Sequence, residues 1–447
     1  MSELTRSVDA VVIGAGVIGS AVALELSRQG RSVVCVDALP AAGYGSTSSS
    51  SAVVRFNYST RSGVAMAWEG LHYWTNWADH VRAEPGEPIV DFTQVPMLML
   101  ERDGDPAWSW LAHFDHFGVP WERLDRHEAE QRFGWIDLRT FGPPEPLAAM
   151  NANAPTGFWS EDHGLHRSLI VMPRSGYVSD PQLAAANLAD AATRDGAQFR
   201  FGVRVVEVAT TTGEQRRVTG VILDDGSTID APVVVNVAGP HSSTVNRLAG
   251  VTSEVTVAPR ALRREVFVVP APAGVDFERV GAMIGDLDCG IYLRPEGGNN
   301  VLIGSAEPEC DILEWIEDPD DYERSLDEDE YQLLALRASR RISDLPIPAT
   351  KRGVCDLYDA TPDWTPIYDR SSVDGWYMAC GSSGNQFKNA AVAGWCMAEL
   401  IAAVEAGQDH DHEPVQVTGR HTGVTIDMAT FRRSRVLNEH SAATVLG

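Results

Sequence analysis

The sequence has 447 residues, of which 44% are hydrophobic and 22% are charged, and its formal net charge is −26 at pH 7. A chain of this length usually divides into two domains, and its composition is that of an ordinary globular protein. The negative charge argues against nucleic acid or an anionic membrane surface as a partner, because their phosphates would be repelled, but it permits a locally basic site for a small molecule.

The chain begins with MSELTRSVDA, which lacks the apolar core of a secretory signal. The most apolar window that follows, residues 10–26, contains Glu25 and three glycines and is short for a membrane span. The six cysteines are scattered, without a CxxC pair, which favours a reducing compartment over a disulfide framework or a zinc site. We therefore expect a soluble, cytoplasmic protein without a bound metal ion.

Residues 9–37, DAVVIGAGVIGSAVALELSRQGRSVVCVD, are typical of a strand–helix–strand unit. The apolar run at 11–13 predicts a buried parallel strand, and residues 17–29 predict a helix that ends at Gly30. The run VVCVD predicts a second strand at 33–37. A unit of this kind with glycines at its first turn is typical of dinucleotide-binding folds.

The glycines of this first turn have the spacing G-x-G-x-x-G. Gly14 would permit the tight turn, Gly16 would let the backbone approach a pyrophosphate, and Gly19 would let the helix pack closely on the strand. The phosphates would lie at the helix N-terminus, where backbone N–H groups and the helix dipole favour negative charge. Asp37, at the end of the second strand, would accept hydrogen bonds from the ribose hydroxyls. The alternative is a glycine-rich turn in an α/β protein that binds no nucleotide.

Small polar residues follow in AGYGSTSSSS, whose hydroxyl and N–H groups suit a second phosphate-binding loop; a flexible linker is the alternative. Farther along, Asp180 and Pro181 predict the start of a helix that ends at Gly196, and FRFGVRVVEV predicts the strand after it. A hairpin with an Asp225-Gly226 turn then leads into the buried strand PVVVNVAGP. This succession predicts an α/β fold.

The order of the motifs along the chain carries a family resemblance. The glycine turn with Asp37, then PRSGYVSDPQL, VVVNVAGPHSS, DATPDWTPI and GSSGNQFKNAAVAG, resemble the FAD-dependent amine oxidoreductases, the superfamily of D-amino acid oxidase, glycine oxidase and sarcosine oxidase. The segment VVRFNYST and the ending IDMATFRRSRV are most similar to the branch of sarcosine oxidase and dimethylglycine dehydrogenase. The resemblance covers most of the chain.

The resemblance implies a two-domain architecture. A Rossmann-like FAD-binding domain of class α/β would be discontinuous and made of residues 1–60, 155–255 and 350–415. An α+β substrate domain, built on a large antiparallel sheet, would use residues 60–155 and 256–349. Residues 416–447 would form a C-terminal tail.

The resemblance also implies FAD as the cofactor. The residues predicted to bind it are Gly14, Gly16, Val17, Ile18, Gly19, Asp37, Ala38, Ser46, Thr47, Ser48, Val205, Ala238, Gly239, Gly381, Gly384, Asn385, Gln386, Phe387 and Lys388. In monomeric sarcosine oxidases, a cysteine two residues before the tyrosine that is Tyr358 here carries the flavin; that position is Asp356, and Cys355 points to the other side of a strand. The early loop lacks the histidine that dimethylglycine dehydrogenases use, so we expect noncovalent FAD.

Two basic residues lie where this branch places the anchors of a substrate carboxylate. Arg55 follows the polar loop in AVVRFNY, and Lys388 precedes a long apolar helix in GNQFKNAAVAG. Tyr292 in GIYLRP matches an aromatic residue of the family's substrate pocket and alternates with Ile291 and Leu293, so strand geometry directs it to the opposite face from both. We predict that Arg55, Lys388 and Tyr292 form the catalytic site; for the two cations, a surface charge is the alternative.

The implied activity is oxidation of a C–N bond in an amino acid or N-alkyl amino acid to an imine, by hydride transfer to flavin N5, followed by hydrolysis. A 2-hydroxy-acid or glycerol-phosphate type FAD dehydrogenase, or the flavin subunit of a hetero-oligomeric amine dehydrogenase, are the alternatives. Leu302 replaces the lysine that promotes reaction with oxygen in monomeric sarcosine oxidases, which leaves the electron acceptor open. The expected partner is a small-molecule amine or amino acid, and a homo-oligomer is left open.

Overall fold

A computed structural model of the protein describes residues 7–101, 108–153, 164–213, 215–441 and 444–446. Its strands are β1 Ala10–Ile13, β2 Val33–Asp37, β3 Val53–Val54, β4 Phe92–Gln94, β5 Met97–Glu101, β6 Glu122–Asp125, β7 Ser168–Met172, β8 Gly176–Val178, β9 Gln198–Phe201, β10 Val205–Thr210, β11 Val218–Leu223, β12 Thr228–Asp230, β13 Val233–Asn236, β14 Arg260–Pro270, β15 Met283–Asp286, β16 Ile291–Glu296, β17 Asn300–Ser305, β18 Glu314–Ile316, β19 Gly353–Ala360, β20 Ile367–Arg370, β21 Trp376–Cys380, β22 Gln416–Thr418 and β23 Thr425–Asp427. Its α-helices are α1 Val17–Arg28, α2 Arg61–Thr75, α3 Trp77–Val81, α4 Ser109–Phe117, α5 Arg126–Arg132, α6 Leu147–Asn153, α7 Pro181–Arg194, α8 Ser242–Ala249, α9 Phe277–Val280, α10 Glu328–Arg341 and α11 Ala390–Glu405.

The first layer is a sheet that, within the described residues, has six strands in the order β20-β21-β13-β1-β2-β9. All neighbours in it are parallel except β20, which runs antiparallel to β21. Strands β1 and β13 are buried throughout, as expected for parallel strands that are covered on both faces. Helix α1 packs against α7 and α11 on one of these faces. The carboxyl ends of the parallel strands therefore meet at one edge, where ligands bind in open α/β sheets.

The local predictions for this layer are largely confirmed. The first strand, helix and second strand have bounds that differ from the predicted ones by at most one residue. Asp180 caps α7 by accepting a hydrogen bond from the Leu183 N–H at 2.9 Å, and Pro181 occupies the first turn. The single strand predicted over FRFGVRVVEV is wrong. Gly202, at φ +70°, separates β9 from β10, and these two strands belong to different sheets.

The second layer is a large sheet in the order β18-β14-β17-β16-β15-β5-β7-β6, in which β19 also pairs with β14. It is antiparallel, as predicted, apart from the pair β5–β15, which is parallel. One face of the large sheet carries Tyr292 and Leu302 and packs toward the first layer. The opposite face carries Ile291 and Leu293 and is covered by α10. This alternation places Tyr292 on the side predicted for it.

Two strands change the predicted division of the chain. The predicted boundary near residue 155 lies outside the described residues. Strand β7 falls inside the segment assigned to the FAD-binding domain, yet it lies in the large sheet between β5 and β6. Strand β19 was likewise assigned to that domain from residue 350 onward, but it pairs with β14 along its whole length. The large sheet therefore takes strands from more of the chain than predicted. The sequence does not indicate these pairings, because they join residues that are far apart along the chain.

The longest apolar helix belongs to the core. The segment Phe387–Glu405 is long and apolar enough to span a membrane by length and composition. In the structure, however, α11 packs against α1 and α2, and its residues from Ala390 to Gly394 are buried. Its first residues come directly from the 3-10 turn Phe387–Asn389, so packing of the helix determines where Lys388 lies.

Candidate active site

A long cavity of about 380 Å³ runs from the carboxyl ends of the parallel strands to the inner face of the large sheet. Nearly all the residues predicted from the sequence line it. They are Gly14, Gly16, Val17, Ile18, Gly19, Asp37, Ala38, Ser46, Thr47, Arg55, Val205, Ala238, Gly239, Tyr292, Gly384, Asn385, Gln386, Phe387 and Lys388.

Two predicted residues do not line the cavity. Ser48 is exposed, and its hydroxyl donates to the Gly45 carbonyl at 2.9 Å, so it stabilises the turn of the loop. Gly381 lies behind the cavity wall, where its N–H donates to the Asp359 carboxylate at 2.7 Å. Its φ of +70° explains why a glycine occurs there.

The glycine turn has almost no space for side chains. Gly14 has φ +108°, and a Cβ atom on it would lie 2.4 Å from the Val237 carbonyl oxygen. A Cβ atom on Gly19 would lie 1.9 Å from the Gly14 carbonyl oxygen. Helix α1 therefore lies closer to β1 and β13 than it could if Gly14 or Gly19 carried a side chain. This close packing holds the start of α1 at the cavity.

The polar groups around this turn fit the pyrophosphate and ribose of FAD. Helix α1 begins at Val17, and Gly16, the residue before it, has no side chain to cap the helix; the Thr47 hydroxyl accepts a hydrogen bond from the Val17 N–H at 3.1 Å. Asp37 accepts from the N–H groups of Ala15 at 2.6 Å and Leu39 at 2.8 Å, so its carboxylate is held at the end of β2 facing the cavity. An uncapped helix start suits a phosphate, and an oriented carboxylate suits a ribose.

Asp356 lines the cavity, although it was not predicted to bind FAD. In the sequence analysis it is only the residue that replaces the flavin-linked cysteine of monomeric sarcosine oxidases. Its carboxylate accepts hydrogen bonds from Ser49 at 2.9 Å and Ser46 at 3.3 Å, which ties the polar loop to β19. Cys355, beside it, faces away and donates to the Glu323 carbonyl at 3.6 Å. Within the part of the chain that the structure describes, no cysteine lines the cavity.

Lys388 lines the part of the cavity next to Tyr58, called here the substrate end, and is only 4% exposed. Its Nζ donates to the Asn385 carbonyl at 2.5 Å and lies 4.9 Å from the centre of the Tyr58 ring. The Trp74 indole donates to the Lys388 carbonyl at 2.7 Å and stacks on the Phe387 ring, which positions the turn. Burial, and to a smaller extent the Arg55 cation, lower the pKa of Lys388 well below that of an ordinary lysine.

Arg55 is the second cation of this end and is 3% exposed. Its guanidinium donates to the backbone and side-chain oxygens of Asn57 and to the backbone carbonyl of Val445, and it lies 5.1 Å from the centre of the Tyr58 ring. Burial lowers the pKa of Arg55, although a guanidinium stays protonated at any ordinary pH. Arg55 and Lys388 thus flank one aromatic ring, and both line the same cavity.

Tyr292 lies on the large-sheet side of the cavity, as predicted. Its hydroxyl shares a hydrogen bond with the Ser51 hydroxyl at 2.6 Å. The ring covers Gly304 of the neighbouring strand, where a Cβ atom would lie 2.3 Å from it. Burial raises the pKa of Tyr292, so the hydroxyl remains protonated and can donate to a ligand.

The cavity is also lined by residues that the sequence analysis did not predict, among them Arg264, Tyr358, Val445 and Leu446. Arg264 lies two residues from both Leu262 and Val266, which belong to the inner face of the large sheet, so the period of two in a strand predicts that Arg264 shares that face. It forms an ion pair with Glu307 at 3.3 Å. Val445 and Leu446 gave no local signal, because only the folded chain brings them to the cavity.

The family model described as "DAO: FAD dependent oxidoreductase" matches residues 9–400. A glycine oxidase from Geobacillus kaustophilus (strain HTA426) is 24% identical over 427 residues, which is 94% of this chain and 99% of the relative. The mitochondrial sarcosine dehydrogenase of Homo sapiens is 28% identical over 223 residues, which is 47% of this chain but only 22% of that protein.

Among solved structures, the L-proline dehydrogenase of P. horikoshii superposes with a TM-score of 0.72 and 20% sequence identity, over 90% of this chain and 95% of that one. At this level of identity the likeness establishes the fold. It agrees with the two layers described above.

Proposed function

Because the chain belongs to the DAO family of FAD-dependent oxidoreductases, we propose that it oxidises a C–N bond of a small amino acid or N-alkyl amino acid. The observation that carries the proposal is the pair of buried cations, Arg55 and Lys388, in the same cavity as the glycine turn. A buried cation without a bound anion is costly, and a carboxylate is the anion that every amino acid supplies.

The proposed reaction is an oxidation followed by a hydrolysis. The neutral amine loses a hydride from the carbon beside its nitrogen and becomes an iminium, and water then cleaves the iminium to a carbonyl compound and an ammonium. FAD, when bound, supplies the hydride acceptor. The substrate nitrogen must be deprotonated first, because its lone pair forms the new C=N bond. Release of that proton to solvent is sufficient, so the proposal needs no strong base in the cavity.

The residues of the chain contribute by binding and orienting the substrate. Lys388 and Arg55 hold the carboxylate, which fixes one end of a small amino acid. Tyr292 and Ser51 close the side of the cavity formed by the large sheet. Met97 and Met283, on the inner face of that sheet, line the cavity with apolar surface that excludes water around the reacting carbon.

The names of the relatives support this substrate class. Glycine oxidase, sarcosine dehydrogenase and L-proline dehydrogenase are each named for a small amino acid. A 2-hydroxy acid would use the same carboxylate anchors and is the main competing substrate class. A flavin subunit that depends on partner chains is the other alternative, and activity of the isolated chain decides that point.

The test is an anaerobic titration of the purified, FAD-loaded protein, in which substrate oxidation bleaches the flavin absorbance. Matched substrates with and without the carboxylate are compared: L-proline with pyrrolidine, and sarcosine with dimethylamine. Lactate and glycerol 3-phosphate represent the alternative reactions. We expect bleaching by at least one acid-bearing amine and none by its partner without the acid. Bleaching by lactate or glycerol 3-phosphate alone would refute the proposal.

Leu302 provides a test of oxygen reactivity. It is buried on the same face of the large sheet as Tyr292, in an apolar environment. The family resemblance puts this position where monomeric sarcosine oxidases have the lysine that promotes reaction with oxygen. We therefore expect Leu302→Lys to raise the rate constant for reoxidation of the reduced protein by oxygen about 10- to 100-fold, because a cation there stabilises the negative charge that oxygen acquires. Stopped-flow mixing of reduced protein with oxygen measures this rate, and Leu302→Met is the matched neutral control. Equal rates for the two variants would contradict the expectation.

A further inference from the structure

A short segment near the end of the chain lies inside the substrate end of the cavity. Val445 and Leu446 are 8% and 5% exposed, and both line the cavity together with Arg55, Tyr292 and Lys388. Their side chains join the hydrophobic cluster between the two layers. By contrast, Val436 and Leu437, earlier in the same tail, are 89% and 49% exposed. The tail is therefore exposed at Val436 and Leu437 and buried again at Val445 and Leu446.

The segment is held by backbone hydrogen bonds to buried polar side chains. Arg55 donates to the Val445 carbonyl, and the Asn57 amide donates to the Leu446 carbonyl at 3.2 Å. In the opposite direction, the Val445 N–H donates to the Glu307 carboxyl at 2.9 Å. All three partners are buried. The site thus presents donors on one side and an acceptor on the other, the pattern that an amino acid with a carboxylate and an N–H group would complement.

We infer that residues 444–446 are an intramolecular occupant of the substrate site, which a carboxylate substrate displaces from Arg55. The inference rests on the proposed function of Arg55 as a carboxylate anchor. Val445 uses a donor of that guanidinium, and its side chain and that of Leu446 fill the adjoining space. A carboxylate forms a stronger hydrogen bond with a guanidinium than a neutral peptide carbonyl does, so an acid-bearing ligand can replace the segment.

Displacement has a measurable cost in affinity. When only a fraction of the protein has an open site, the apparent dissociation constant rises by the reciprocal of that fraction. Weakening the segment therefore increases affinity without any change in the residues that contact the substrate. Glu307 contributes to the hold on the segment, and its partner Arg264 remains paired with it when the segment leaves.

The experiment uses the full chain loaded with FAD and acetate as the carboxylate probe. The double variant Val445→Gly/Leu446→Gly removes the buried side chains but keeps the backbone. Val436→Gly/Leu437→Gly is the matched control, because it removes two exposed apolar side chains from the same tail. The dissociation constant of acetate is measured from the change in flavin absorbance, and hydrogen exchange of the Val445 and Leu446 amides is measured with and without acetate.

We expect the first double variant to bind acetate about tenfold more tightly, the control to bind it as the unmodified protein does, and acetate to accelerate amide exchange at Val445. Unchanged exchange together with unchanged acetate affinity in the first variant would overturn the inference. These readouts do not involve oxidation. Failure of every amine to reduce the flavin would refute the proposed function and leave the displacement result to be judged separately.

Discussion

Lys388→Met is expected to lower kcat/KM for acid-bearing amines about 100- to 1,000-fold, since loss of a buried charged partner costs about 3–4 kcal/mol of binding. Methionine fills nearly the same space and keeps the backbone carbonyl that accepts from Trp74, so the fold should be preserved. Turnover of a matched amine without a carboxylate, if it is measurable, should change little. Steady-state kinetics on proline and pyrrolidine distinguish these cases.

The chain offers a matched control because it contains only two lysines, Lys351 and Lys388. Lys351 pairs with Glu328 at 3.0 Å, away from the cavity. Lys351→Met should therefore leave kcat/KM unchanged. If Lys388→Met kept the kcat/KM of the unmodified protein for carboxylate substrates, Lys388 would not be the anchor.

The pH dependence of acetate binding gives an independent readout of the same residue. The pKa of Lys388 is lowered by burial and by Arg55, so the free protein loses this charge at a lower pH than an ordinary lysine would. A bound carboxylate favours the protonated lysine. Acetate affinity should consequently fall as the pH rises through the lowered pKa, and binding should take up a proton.

Tyr58, Glu307 and Arg55 lie near Lys388 or the bound segment, and their pKa values decide whether they also affect the pH dependence of acetate affinity. Burial raises the pKa of Tyr58 to about 12 and that of Glu307 to about 7. Tyr58 stays neutral below that pH, and Arg55 stays charged. Lys388 is not among the groups that shift the pKa of Glu307, so Lys388→Met should remove only the lysine part of the profile. A profile identical to that of the unmodified protein would argue against a charged Lys388 in the complex.

Gly19→Ala should weaken FAD binding strongly. The added Cβ atom would lie 1.9 Å from the Gly14 carbonyl oxygen, which is backbone and has no room to retreat. Helix α1 would have to move away from β1, and overpacking of this kind costs about 2–3 kcal/mol. We expect the dissociation constant of FAD to rise at least about 30-fold, the factor that corresponds to about 2 kcal/mol. Quenching of flavin fluorescence on titration measures it.

Gly30→Ala is the control at the other end of the same helix. It has φ +82°, so alanine there is strained, but no atom lies within 4 Å of its Cβ position. The control should lower the melting temperature slightly and leave FAD affinity unchanged. A yellow Gly19→Ala protein with the FAD affinity of this control would show that close packing of α1 is not needed for binding.

The fold could be predicted where sequence patterns are local. The glycine turn, α1 and the two flanking strands depend on contacts within about one βαβ unit, and their bounds were predicted closely. The break at Gly202 was missed because a single glycine in an otherwise regular strand is compatible with continuation or with a corner. Strands β7 and β19 were assigned to the other layer. Their partners lie far away along the chain, and their own residues do not indicate which sheet they join.

The same distinction applies to the cavity. Lys388 was predicted because a lysine at the start of an apolar helix conflicts with its surroundings, and family resemblance explained the conflict. Strand alternation predicts which face of the large sheet carries Arg264, but the sequence analysis applied it only to Tyr292. Val445 contacts Arg55 across 390 positions of sequence, and two ordinary apolar residues in a tail indicate no such contact.

The order of strands in the first layer has a consequence for synthesis of the protein. Strand β13 is flanked by β1 on one side and by β21 on the other, and β21 ends at Cys380. A growing chain therefore exposes one edge of β13 on the ribosome until Trp376–Cys380 has been synthesised. Unpaired strand edges invite association between chains. Rapid emergence of the last strands, rather than early folding of an N-terminal unit, would then protect the nascent protein from aggregation.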